Sequence, residues 1–222
     1  MSNSFWENKY KDGFVQYYPW DTIVSFVFNN APKNKPRNEV NILEVGCGTA
    51  SNLWFAAREG FNVTGIDVSQ SAIEFAKNKF KEDDLKGNFS VNEFNALPFE
   101  KESFDLVIDR AALTCVGRAV ANEAINEIYR VLNMNGRFFF NPYSDLHSSF
   151  PSGYLDNSGL TQNITQGTLV GNGPICFYSR EQVILNIEKF KLKNLQHMQY
   201  EELLNKDKSV HAEWRVIAEK CI

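Results

Sequence analysis

The stretch ILEVGCGTA, residues 42–50, decides the fold of this chain. Its apolar run ends in an acidic residue, and two glycines flanking Cys47 follow at once. A strand built only for packing does not need that ending. Glycine lets the backbone turn tightly and lets a ligand approach without meeting a Cβ. The helix-like segment SNLWFAAREG (51–60) comes next, so Gly46, Cys47 and Gly48 form a turn between a strand and a helix.

Outward from that turn, strand and helix patterns alternate as far as residue 141. VNILEV (40–45), NVTGID (62–67), NFSVNEF (88–94), FDLVID (104–109) and GRFFFN (136–141) read as strands. Between them, Ser69 is an N-cap for a helix with Ala72, Ile73, Ala76 and Phe80 on one face. Ala121, Ala124, Ile125, Ile128 and Leu132 share the face of another, which ends near NMNG. The alternation predicts an α/β fold with a doubly wound, mostly parallel sheet, whose ligand site lies at the carboxyl ends of the strands. KLKNLQHMQYEE and HAEWRVIAEK read as a closing antiparallel strand pair, after a short helix capped by Ser179. One domain is expected from 222 residues. It comprises an N-terminal cap (1–39, with a helix from Pro19 to about Asn29), a core (40–141), an irregular insertion (142–177) and a C-terminal helix with its strand pair (178–222).

The site reading starts from Asp67, which ends the second strand 21 positions after Gly46. A carboxylate there can accept both hydroxyls of an adenosine ribose. Glu44 settles which adenosine ligand is expected. A dinucleotide sets its pyrophosphate at this helix N-terminus, and a carboxylate beside it would repel that group. Glu44 suits a cation, such as the ammonium and, more distantly, the sulfonium of S-adenosylmethionine.

EVGCGTA, followed by GIDVSQSAIEFA, NALPF and FDLVID, resembles the class I S-adenosylmethionine-dependent methyltransferases over residues 40–141. The resemblance implies a seven-stranded sheet with an antiparallel last strand, and S-adenosylmethionine as the cofactor. It also implies site residues. Glu44 would anchor the ammonium, while Gly46, Cys47 and Gly48 would line the amino-acid and ribose part. Asp67 would hold the ribose and Val68 would pack on the adenine. Asn95 and Ala96 would meet the adenine edge, and Asp109 would lie beside the transferred methyl. The N-terminal FWENKYKDG resembles the segment that covers the donor in several small-molecule methyltransferases, so Tyr10 and Tyr18 are candidates to face a sulfonium. Two departures stand out: Ala50 replaces a third glycine, and Asn95 replaces an aspartate.

Transfer of a methyl is an in-line displacement that needs alignment above all, and orientation can supply roughly 7–11 kcal/mol. An alcohol acceptor would profit from a general base. Asp109 and His147 are the candidates, the latter in NPYSDLHSS just after the fifth strand. His147, His197 and His211 lack metal-ligand spacing, so no metal is expected. A net charge of -4 argues against nucleic acid as partner. Cys47, Cys115, Cys176 and Cys221 are scattered and form no CxxC pair, as reduced thiols would be. With no signal-like start and no apolar run near the roughly 20 residues of a membrane span, a cytoplasmic protein is expected. The reading is a small-molecule O- or N-methyltransferase, monomeric or homodimeric. Its rivals are a catalytically silent sensor of the same cofactor and a nicotinamide-dependent oxidoreductase.

Overall fold

In the computed structural model of the chain, residues 3–204 and 209–221 are described. Five parallel strands form the heart of the sheet: β1 (Asn41–Val45), β2 (Asn62–Asp67), β3 (Asn88–Val91), β4 (Phe104–Asp109) and β5 (Leu132–Phe140). Two 2-residue strands, β6 (Tyr154–Leu155) and β7 (Thr161–Gln162), make a separate antiparallel pair inside the insertion. The long strands β8 (Lys191–Glu201) and β9 (Val210–Glu219) complete the main sheet. Its order is β3-β2-β1-β4-β5-β9-β8, with β9 antiparallel to both neighbours.

Alternate residues of each strand feed opposite faces, as a pleated strand requires. Ile42, Val63, Leu106 and Phe139 pack with α2 (Asp21–Asn30), α3 (Ser51–Arg58) and α4 (Gln70–Glu82). Leu43, Val107, Phe138 and Phe140 pack with α5 (Arg118–Val131) and α6 (Arg180–Asn186) on the other side. Every residue of β4 is buried, which is why FDLVID carries no polar alternation. The sheet is thus covered on both faces, and the chain reverses direction across it between β1 and β4. That reversal opens a crevice at their carboxyl ends.

The caps behave as the sequence implied. Ser69 Oγ accepts from the Ala72 amide at 3.1 Å, and Ser179 makes a reciprocal capping box with Gln182. Three elements differ. The third strand stops at Val91. The cap helix α2 starts at Asp21, and a further helix, α1 (Asn3–Lys11), precedes it. NMNG does not terminate α5 in a loop. The chain passes straight from Val131 into β5, whose register against β4 shifts between Phe104 and Leu106. Asn135, at φ +64°, and Gly136 absorb that irregularity.

Candidate cofactor and acceptor site

The glycine turn shows what each position is for. Gly46 and Gly48 have φ of +66° and +53°. A Cβ on Gly46 would overlap that of Ala112, and one on Gly48 would overlap the Tyr10 hydroxyl. The glycines therefore admit two protein segments as well as clearing the backbone: the loop after β4, and α1. Ala50, where a third glycine was expected, is the residue before α3 and takes the left-handed conformation at φ +60°, ψ +29°. A Cβ there costs about 1–2 kcal/mol.

Around this turn lies a cavity of about 420 Å³. Asp67 and Asp109 end β2 and β4, Glu44 is the last residue but one of β1 between them, and all three are buried. Glu44 Oε1 accepts from Asn52 Nδ2 at 2.7 Å, while Oε2 is buried with no partner. Burial above all, with Asp109 and Asp67 nearby, pushes its carboxyl up to about 8. Asp67 Oδ2 accepts from the Gly48 amide at 2.8 Å and Oδ1 from the Ser69 amide at 2.9 Å. Its carboxyl is also raised by burial, against those bonds.

Helix α1 and the strap that follows it roof the cavity. Glu7 accepts from Ser69 Oγ at 2.7 Å, Ser71 Oγ at 2.8 Å and the Ser71 amide at 3.1 Å, so α1 is tied to the start of α4. Lys9 Nζ donates to Asn172 Oδ1 at 2.6 Å, which joins α1 to the insertion. The strap is held by the Trp20 amide donating to Asn52 Oδ1 at 3.0 Å. Asn52 therefore connects Glu44 to the roof.

The structure sorts the sequence candidates. Glu44, Gly46, Cys47, Gly48, Asp67, Val68 and Tyr10 line the cavity. Tyr18 does not: it is 74% exposed on the outer side of the strap. Asn95 and Ala96 lie outside the lining, and the Asn95 amide donates to Glu123 at 3.1 Å. Phe94, immediately before them, is the residue of that segment that reaches the cavity. Asp109 is fully buried behind the lining. Its Oδ1 accepts the Leu113 amide at 2.9 Å, and burial pushes its carboxyl up to about 7. His147 is also buried behind the wall. Its Nε2 lies 3.1 Å from Thr168 Oγ1 and 3.3 Å from His211 Nδ1, and both of those residues do face the cavity.

Lys9, Arg110, Thr168 and His211 are lining residues that sequence reasoning passed over. For His211 a signal existed. A last strand antiparallel to β5 must begin at the rim where the parallel strands end, and His211 is its second residue. Arg110 follows the β4 terminus directly. Among the described residues no cluster of three or more His, Cys, Asp or Glu side chains could hold a metal, and no helix is long and apolar enough to cross a membrane. The four cysteines are unpaired.

A doubly wound sheet with a glycine turn and buried carboxylates at its carboxyl rim defines a nucleoside-binding α/β domain. Residues 42–136 match the family described as "Methyltransferase domain". An uncharacterized protein of Haemophilus influenzae is 36% identical over 98 residues, which are 43% of this chain and 39% of that protein. A ubiquinone biosynthesis O-methyltransferase of Bartonella tribocorum is 30% identical over 113 residues, 50% of this chain and 45% of that one. The chain spans less than half the length of these two curated relatives. A solved S-adenosylmethionine-dependent methyltransferase of Methanosarcina mazei shares the fold with a TM-score of 0.72, at 19% identity, over 92% of this chain and 99% of that one.

The residues present fit that cofactor on an observation independent of the match. Glu44 Oε2 is a buried acceptor with no donor, and an ammonium is a donor of the right charge. The lone pairs that Asp67 keeps beyond its two amide bonds can accept the ribose hydroxyls.

Proposed function

We propose that the protein moves a methyl group from S-adenosylmethionine to an oxygen or nitrogen of a small molecule held in the same cavity. The observation that carries this reading is the unpartnered Glu44 oxygen beside Asp67 and the glycine turn. When bound, the cofactor supplies a methyl already activated on a sulfonium. The chain's task is then to hold, align and keep dry. Glu44 and Asp67 hold the ammonium and the ribose, and Val68 packs on the adenine. Tyr10 covers the turn from above, and α1 with the strap excludes water. Asp109 is a positioning residue, because its bond to the Leu113 amide sets the loop that carries Arg110 and Ala112. His211 is the imidazole facing the acceptor side, with His147 behind it as its orienting partner.

The same reading makes the protein a single domain, monomeric or homodimeric, acting in the cytoplasm without a nucleic-acid partner. The net charge of -4 and the cavity of about 420 Å³ support a small acceptor over a polyanion. The test is a labelled-methyl screen of the purified protein against a small-molecule extract, with products identified by mass. A labelled product at the mass of substrate plus a methyl is expected. Tight cofactor binding with no labelled product from any acceptor would favour the silent sensor instead.

A further inference from the structure

The acceptor side of the cavity is cationic, in contrast to the acidic donor side. Arg110 is only 11% exposed, and its guanidinium carbon lies over the Trp20 ring, 4.2 Å from the ring centre. A guanidinium carries five N–H donors and stays charged at any working pH. Arg110 Nε has no partner, and its carboxylate contact is Glu213 Oε2 at 3.4 Å, long for a charged hydrogen bond. Glu213 is already committed. Its Oε1 accepts from Arg215 Nε at 2.8 Å, and His211 Nε2 lies 3.6 Å from Oε2. Two guanidiniums thus share one carboxylate. Lys9 adds a second cation to the lining. Its Nζ meets Asn172 and the Trp6 and Phe14 rings, and among the described residues it forms no ion pair. Burial lowers its affinity for the proton, as expected of a cation short of a counter-charge. Tyr143, Leu169 and Ile175 give this wall its apolar and aromatic surface, beside the polar Thr168, Asn172 and His211.

We infer that the acceptor is an anion: an apolar or aromatic body bearing a carboxylate that pairs with the Arg110 guanidinium, with Lys9 as the second positive charge. This rests on the methyl-transfer reading and narrows its substrate class. A carboxylate would take the Arg110 donors that Glu213 and Tyr143 leave unfilled, Nε among them, and draw the guanidinium from its long contact with Glu213. The flat body would lie along Trp20 and Tyr143, with its nucleophilic atom toward the donor side.

The test is calorimetry on the full chain saturated with S-adenosylhomocysteine. The probes are matched acids and primary amides: benzoate and benzamide, 3- and 4-hydroxybenzoate and their amides, phenylacetate and phenylacetamide. At least one acid is expected to bind tenfold or more tightly than its amide, with a preference that shrinks at high salt. Arg110→Met should abolish the preference, Arg110→Lys should restore part of it, and Lys9→Gln should reduce it. If Arg110→Met does not melt cooperatively, the lysine variant and the salt series decide the question. Equal binding of acids and amides, or no binding of any acid, overturns the inference. So does a tenfold loss of S-adenosylhomocysteine affinity in Arg110→Met with the acid preference intact, which would assign Arg110 to the donor's own carboxylate. Failure of S-adenosylhomocysteine to bind the wild type would instead overturn the methyl-transfer reading, and it is seen before any acid is added.

Discussion

Glu44 should give up a proton when the cofactor binds. In the free protein its carboxyl titrates at about 8, chiefly because burial disfavours the charged form, so at pH 7 it holds about 0.9 of a proton. An ammonium against Oε2 stabilises the carboxylate and returns the group to the ordinary acidic range. Binding at pH 7 should therefore release about 0.9 of a proton from this residue. Calorimetric titration with S-adenosylmethionine in buffers of differing ionisation enthalpy measures that number directly. Below pH 7 the affinity should fall close to tenfold for each unit by which the pH is lowered, since each binding event must expel the proton. Glu44→Gln keeps the shape but cannot ionise. It should release no proton from this site and bind roughly ten- to hundredfold more weakly, the value of a charge-assisted hydrogen bond of about 1.5–3 kcal/mol. Equal proton release by wild type and Glu44→Gln would refute the assignment of the ammonium to Glu44.

Three further outcomes follow from the same geometry. Glu44 and Asp109 have folded-state values of about 8 and about 7, raised from 4.5 and 3.8, so the stability they contribute is complete below about pH 4 and is lost as pH rises to 8. The melting temperature of the cofactor-free protein should fall from pH 5.5 to 8.5, and Glu44→Gln should flatten that slope. His147, lowered by burial to about 4, opposes this between about pH 4 and 6.5, so the fall steepens above pH 6.5; Glu7 and Glu213, lowered to about 2, oppose it only below about pH 4.5. Ala50→Gly relieves a left-handed alanine worth about 1–2 kcal/mol and removes a buried methyl worth about 0.8 kcal/mol. Urea unfolding should show a gain of up to about 1 kcal/mol, and a loss of that size would contradict the loop conformation. Glu7→Ala unties α1 from Ser69 and Ser71, so stopped-flow dissociation of S-adenosylhomocysteine should be several-fold faster. An unchanged rate would mean that α1 does not gate the site.

The sheet was legible because its signals are local and periodic. A buried parallel strand such as FDLVID has no polar alternation to confuse it, and Ser69 and Ser179 mark their helices by cap chemistry that acts within three residues. Glu44, Asp67 and the two glycines were legible for a related reason: a strand terminus in a doubly wound sheet fixes where its side chain emerges. The acceptor wall was not. Arg110, Thr168 and His211 come from three elements separated by long stretches of chain, and only tertiary packing brings them together. His147 carried the right residue type, but the fold turns it behind Thr168 and His211. Tyr18 shows the same limit. Its spacing from Tyr10 gave no sign that the strap would point it outward while α1 turned Tyr10 onto Gly48. The strand at residue 132 was hidden by Asn133, Asn135 and Gly136, which read as a turn because the irregular pairing that holds them depends on β4.

The central claim is that buried carboxylates at the ends of β1 and β2 grip a cationic, adenosine-bearing methyl donor. The most direct measurement is the dissociation constant for S-adenosylmethionine of nucleoside-free wild type and of a Glu44→Ala, Asp67→Ala double variant that still melts cooperatively. The structure leads us to expect saturable binding by the wild type and a loss of at least about a hundredfold in the variant, each carboxylate contributing a charge-assisted bond. Wild-type protein with no measurable affinity, or a double variant that binds as tightly as the wild type, would contradict it.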